Sequence, residues 1–77
     1  MKVKVIVTLK EGVLDPQGKA IQQTLNGMSF SNVEEVRQGK FFEINVNENN
    51  EVKAKSQVNE MCKKLLANLV IEDYKII

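Results

Sequence analysis

The chain has one cysteine, Cys62, and no histidine among its 77 residues. It therefore cannot form an intrachain disulfide, and it lacks the usual ligand set of a zinc site. A domain of this size that depends on its hydrophobic core alone rarely gains more than about 3–5 kcal/mol of net stability. We therefore expect a single domain, residues 1–77, that gains further support from a second copy of itself or from a partner chain.

Charge and hydropathy argue against two classes of partner. Lys and Arg residues number 11 and Asp and Glu residues 10, which gives a formal net charge of +1 and favours neither nucleic acid nor an anionic membrane as partner. Apolar runs are only a few residues long, so no segment is predicted to span a membrane. The first residues alternate lysine with valine, unlike a signal peptide, and we expect a cytoplasmic location.

Hydrophobic periodicity predicts most of the secondary structure. Alternating valines predict a strand over residues 2–10 with one buried face. Asp15 followed by Pro16 is typical of the cap and the first position of a helix, which we expect over residues 16–26. The apolar stripe of this helix consists of Ala20, Ile21, Thr24, Leu25 and Met28.

A second helix is predicted over residues 51–68 from apolar residues at three- and four-residue spacing. These are Ala54, Val58, Met61, Cys62, Leu65, Leu66 and Leu69. Residues 70–77 are predicted to form a short last strand. The order β-α-β(-β)-α-β indicates an α+β fold, in which two helices lie on one face of a small, mostly antiparallel sheet.

Residues 33–47 are predicted to be extended, with Gly39 in the middle. A two-residue turn at Gln38 and Gly39 would make a hairpin. A single long strand, bent or bulged at Gly39, would instead place Val36 on the same face as Phe42. The alternation of apolar residues favours the long strand, and both arrangements remain open.

No set of side chains has the spacing of a catalytic or metal centre. Cys62 lies on an apolar stripe with no histidine to activate it, so we interpret it as a core thiol. Residues 12–20 differ from a phosphate-binding loop, because five residues separate the glycines and Ala20 follows the lysine. Arg37 and Lys40 are more typical of edge-strand charge than of an anion site. We therefore expect no catalytic residue, metal or cofactor on this chain.

The outer face of the predicted sheet is a candidate interaction surface. Ile6 and Phe41 fall on it, with Val13 nearby, which favours a homodimer or a higher even-numbered oligomer. Residues 39–46 are also weakly similar to the aromatic strand of RNA-recognition motifs, although a second aromatic strand is missing. A small regulatory or RNA-binding module that uses its open sheet face is therefore the alternative hypothesis.

Four segments, taken together, resemble the PurS family, the small subunit of bacterial and archaeal phosphoribosylformylglycinamidine synthase. They are VTLK at residues 7–10, GVLDPQG at 12–18, VRQGK at 36–40 and MCKKLLAN at 61–68. The likeness covers nearly the whole chain, and GVLDPQG followed by VRxGK is specific. One departure is Leu69-Val70, where the family often has Pro-Val.

The resemblance implies a dimeric subunit without catalytic residues that joins a glutaminase, PurQ, to a synthetase, PurL. PurQ releases ammonia, and PurL uses ATP and magnesium to add that ammonia to formylglycinamide ribonucleotide in purine biosynthesis. The resemblance also implies interface candidates in the second and third segments and just beyond. These are Gly12, Val13, Asp15, Pro16, Gln17, Arg37, Gly39, Lys40 and Phe41.

Overall fold

The computed structural model describes all 77 residues, and its elements follow the order β-α-β-α-β. They are β1 (Lys2–Leu9), α1 (Pro16–Gly27), β2 (Gly39–Asn45), α2 (Glu51–Met61) and β3 (Glu72–Ile76). A π-helical turn, Cys62–Leu66, continues α2 directly. The predicted α+β class, with two helices and a small antiparallel sheet, is confirmed. Neither helix has the length and apolar character needed to cross a membrane.

The three strands form one antiparallel sheet in the order β2-β1-β3. β1 is the central strand, and its Val5 is paired with Phe42 on β2 and with Ile76 on β3. Val3, Val5 and Val7 are buried, while the residues between them are exposed. The alternation in the sequence therefore predicted the buried face of β1 correctly.

Helix α2 covers this face of the sheet. Ala54, Val58 and Cys62, spaced four residues apart, are completely buried against the valines of β1. The Tyr74 hydroxyl donates a hydrogen bond of 2.5 Å to Asn59 Oδ1, which links β3 to the helix. The core of the molecule is therefore one layer between α2 and the sheet, as the helical spacing predicted.

The π-helical turn changes which apolar residues face the sheet. The Ala67 amide donates to the Cys62 carbonyl oxygen five residues earlier, at 3.0 Å. This wider turn brings Ala67 into the core and leaves Leu66 half-buried. Leu65 is 84% exposed, so its predicted place on the buried stripe is wrong. The spacing pattern assumed an unbroken α-helix, in which residues three and four positions after Cys62 both face inward.

Helix α1 extends past the end of the sheet as an arm. An eight-residue strand is about 27 Å long and a twelve-residue helix about 18 Å, and the molecule measures 48 × 24 × 14 Å. The radius of gyration is 15.9 Å, compared with about 11–12 Å for a compact chain of this length. The sequence predicted that both helices lie on one face of the sheet, and only α2 does so. Most of the α1 stripe is exposed, and Met28 at its end is 60% exposed.

Residues 33–38 form neither the long strand nor the hairpin that the sequence left open. They run back along α1, and β2 begins only at Gly39. The Asp15 carboxylate accepts a hydrogen bond from the Gln38 amide, so this amide is not paired with β1. Phe42 does face the core, but Val36 belongs to the arm. We call residues 16–38 the arm.

Candidate interaction site at the neck of the arm

Two chain segments meet where the arm joins the sheet, and we call them the neck. Residues 9–18 lead out into the arm and residues 36–39 lead back from it, so the neck includes the first and the last residues of the arm. A cleft of about 330 Å³ opens beside the neck, with Val7 and Leu9 among its lining residues. The cleft is also lined by five of the predicted interface residues, namely Asp15, Pro16, Gln17, Gly39 and Lys40. The structure therefore brings together most of a set that the sequence places in two separate segments.

Asp15 links the two segments of the neck. Its Oδ1 accepts a hydrogen bond from the Gly18 amide at 2.9 Å, which caps α1 as predicted. Its Oδ2 accepts a second hydrogen bond from the Gln38 amide at 2.7 Å. The Gln38 amide, then the Gly18 amide, and to a smaller extent the charge of Arg37 hold the pKa of this carboxyl below its ordinary value of 3.8. Asp15 is therefore ionised at neutral pH.

Arg37 links the same two segments from the returning side. Its guanidinium donates hydrogen bonds to the carbonyl oxygens of Val13 at 3.1 Å, Lys10 at 3.1 Å and Leu9 at 3.3 Å. Glu35 lies 3.9 Å from Arg37 Nε. Most donors of the guanidinium are therefore used within the chain, and Arg37 shapes the loop between β1 and α1.

Glycines allow the two segments to approach closely. A Cβ atom on Gly18 would lie 2.2 Å from the Val36 carbonyl oxygen, and one on Gly39 would lie 2.5 Å from the Val7 carbonyl oxygen. Gly12 has a φ of +86°, which favours glycine. The sequence did not single out Gly18 and Gln38 as candidates. The only signal for them was their position inside the GVLDPQG and VRQGK segments.

Lys40 joins the two edge strands across the end of the sheet. Its Nζ lies 3.5 Å from Glu72 Oε2 on β3. The Glu72 side chain is only 12% exposed, and its Oε1 accepts a hydrogen bond from the Asn68 amide at 2.7 Å. Lys40 and Glu72 therefore line the cleft as an ion pair, together with Asp15 and Pro16.

Phe41, the last of the predicted interface residues, lies on the other face of the sheet. It is the direct cross-strand partner of Ile6, and both side chains are exposed there, Phe41 by 56%. Val13 is half-buried in the loop before α1. Phe42 faces the core, so the outer face offers no second phenylalanine from β2 on which bases could stack. The predicted site therefore divides into a cleft beside the neck and a small apolar patch on the other face of the sheet.

Cys62 is buried in the core, as predicted. Burial raises the pKa of its thiol above the ordinary value, because the thiolate would lose its hydration. The thiol is therefore protonated at neutral pH. No group of three or more Cys, Asp or Glu side chains is arranged to hold a metal ion.

The fold and the neck define a class of protein: a small α+β chain whose main surface features are an exposed arm, a cleft beside the neck and apolar patches. Within this class, the chain belongs to the PurS family. It matches the family described as PurS, phosphoribosylformylglycinamidine (FGAM) synthase, over residues 2–77. The family resemblance seen in the sequence is thereby confirmed.

Individual relatives agree with this assignment. The phosphoribosylformylglycinamidine synthase subunit PurS of Methanocaldococcus jannaschii is 53% identical over 75 residues, which is 97% of this chain and 90% of that protein. The PurS subunit of Bacillus subtilis is 53% identical over 74 residues, which is 96% of this chain and 87% of that protein. The match therefore extends over nearly the full length of both proteins.

Solved structures show the same fold. The crystal structure of Methanocaldococcus jannaschii PurS matches with a TM-score of 0.88 at 54% identity, covering 99% of this chain and 92% of that one. A chain of the PurLQS structure from Thermotoga maritima matches with a TM-score of 0.90 at 32% identity, covering 99% and 93%. Each match covers 99% of this chain and therefore includes the arm as well as the sheet. The extended arrangement of the arm is thus shared with these structures.

Proposed function

We propose that this chain is a non-catalytic, cytoplasmic subunit of phosphoribosylformylglycinamidine synthase in de novo purine biosynthesis. In this proposal it joins the glutaminase subunit PurQ to the synthetase subunit PurL and assists the transfer of ammonia between them. The family match over residues 2–77 is the observation that carries the proposal. ATP and magnesium are used by PurL, and this chain needs no cofactor of its own.

The side chains of the neck support a role in assembly rather than in chemistry. The Asp15 carboxylate is engaged by two backbone amides, and the Arg37 guanidinium by three backbone carbonyls. Cys62, the one thiol, is buried. A general base or nucleophile must reach the substrate, and these groups are instead used to hold the chain in its own shape.

A homodimer formed through the arms is the second part of the proposal. The single chain exposes 5810 Å², whereas a compact monomer of 8.7 kDa exposes about 4,700 Å². The excess of roughly 1,100 Å² exceeds the ~800 Å² per partner that a typical stable interface buries. Because α1 lies beyond its own sheet, a second copy can cover the exposed part of its apolar stripe, and a twofold axis would let each arm pack on the other chain.

The patch formed by Ile6 and Phe41 is then left for contact with an enzyme subunit. It lies on the sheet face opposite α2, whereas the apolar stripe lies on the arm. The two surfaces are separate, so a dimer formed through the arms leaves one such patch free on each copy, and two patches can contact two enzyme subunits. The PurLQS structure from Thermotoga maritima supports the assembly of this chain with PurL and PurQ.

Co-purification tests the proposal. Tagged glutaminase from the same organism is mixed with its synthetase in the presence or absence of this chain, and the retained proteins are quantified. We expect retention of the synthetase only when this chain is present, and reduced retention with Phe41→Asp. Glu43→Ala is the matched control, since Glu43 is exposed on the same strand and the same face. Equal retention without this chain would contradict the joining role.

A further inference from the structure

We infer that the neck is a positioning device that fixes the direction of the arm, so that α1 is presented to a second copy of the chain. The inference rests on the dimer of the proposed function. Between the helix body and the sheet there is no packing comparable with that of α2. The direction of the arm is therefore set at the neck, where the outgoing and returning segments are joined.

Three contacts join these segments, and each involves backbone atoms. The first turn of α1 lies directly against the returning segment, with room for only a hydrogen atom on Gly18 beside the Val36 carbonyl. The Asp15 carboxylate ties the start of α1 to the Gln38 amide. The Arg37 guanidinium ties the returning segment to the carbonyls of the loop between β1 and α1. A single covalent connection would let the arm swivel, whereas two connected segments with three cross-links do not.

The far end of the arm is closed as well. The Asn26 side-chain amide donates hydrogen bonds to the carbonyl oxygens of Phe30 at 2.9 Å and Val33 at 3.2 Å. These bonds hold the returning segment against the end of α1. The arm therefore moves as one piece, and a small change at the neck produces a large displacement at its tip.

Fixing the arm in advance strengthens self-association, because the ordering cost is met during folding rather than during binding. If a neck variant leaves each arm in the binding direction for about a tenth of the time, the apparent Kd rises about tenfold for each arm that must be in place. A symmetric dimer uses two arms, so the expected increase in Kd is about a hundredfold. The sheet and α2 would remain folded, since neither takes part in the change.

Two glycines of α1 provide a matched pair of variants. Gly18→Ala places a Cβ atom 2.2 Å from the Val36 carbonyl oxygen, whereas Gly27→Ala places one where no atom lies within 4 Å. Asp15→Asn is a second neck variant. Asparagine caps helices about as well as aspartate, and its one carbonyl oxygen can still accept from Gly18, but the NH2 group that replaces Oδ2 cannot accept the hydrogen bond from the Gln38 amide. It therefore loosens the neck while α1 keeps its cap.

The test measures the arm directly. Spin labels on cysteines introduced at Ser31 and Asn45, diluted into excess unlabelled chain, report the distance from the arm to the far end of the sheet. Sedimentation gives the dimer Kd, and circular dichroism verifies that the variants remain folded. We expect Gly27→Ala to retain the wild-type distance and Kd. We expect Gly18→Ala and Asp15→Asn to broaden or shift the distance and to raise the Kd by about a hundredfold.

Unchanged distances in both neck variants would overturn the inference, as would altered distances without loss of dimer. A wild-type chain that is monomeric would instead overturn the dimer of the proposed function. In that case, the distance distributions would still show whether the neck fixes the arm. If Gly18→Ala fails to fold, Asp15→Asn against wild type decides the question.

Discussion

Val58→Ala is expected to destabilise the chain strongly, because Val58 is completely buried between α2 and the sheet. The substitution removes two methyl groups, each worth about 0.8 kcal/mol on transfer from water. Incomplete collapse of the cavity raises the loss to about 2–3 kcal/mol. The unfolding entropy of a 77-residue chain is about 0.16 kcal/mol per degree, so the thermal midpoint should fall by about 12–18 °C.

Val52→Ala is the matched control, since Val52 lies on the same helix and is 77% exposed. It should change the free energy of unfolding by less than about 0.5 kcal/mol, with a small gain from the higher helix propensity of alanine. Urea unfolding followed by circular dichroism measures both variants. The protein concentration must be held fixed, because the proposed dimerisation would contribute to the apparent stability. Equal losses for Val52→Ala and Val58→Ala would show that the buried face of α2 is assigned incorrectly.

Three further predictions concern Asp15, Cys62 and the arm. Ionised Asp15 stabilises the fold above its ordinary pKa of 3.8, and this stabilisation is lost as the pH falls through the lower pKa of the folded chain. The thermal midpoint of Asp15→Asn should therefore lie below that of wild type at pH 7, and the difference between the two midpoints should narrow below pH 3.8. Cys62 should react with iodoacetamide only after unfolding, because it is buried with a raised pKa; rapid reaction of the native chain, followed by mass spectrometry, would contradict this. Ile21→Glu should shift light scattering from dimer to monomer, while Lys19→Glu should not; an intact Ile21→Glu dimer would rule out the arm as the interface.

The parts of the fold that the sequence predicted well are those with local signals. Alternating valines indicate a buried strand face over any few residues, and Asp15-Pro16 indicates a helix start by itself. The four-residue spacing of Val58 and Cys62 likewise located the buried face of α2. Each of these signals depends only on neighbours in the chain, and the structure agrees with each of them.

The parts that were missed depend on contacts between distant residues. The direction of the arm is set by the hydrogen bonds of Asp15 to Gln38 and of Arg37 to the loop before α1, which join residues 23 to 28 positions apart in the sequence. Periodicity shows that α1 has an apolar face, but it does not show which surface covers that face. The π-helical turn that exposes Leu65 has no spacing signal of its own. The interface candidates came from the family segments, and only the structure shows that five of them line one cleft.

The most direct test of the proposed function compares two nitrogen sources. Ammonia released at the glutaminase is lost to solution unless a closed path leads to the synthetase, whereas excess free ammonia reaches the synthetase without such a path. With the other two subunits pure, we expect omission of this chain to abolish most glutamine-dependent synthesis and to change ammonia-dependent synthesis little. Equal glutamine-dependent rates with and without this chain would contradict its role in joining the two enzymes.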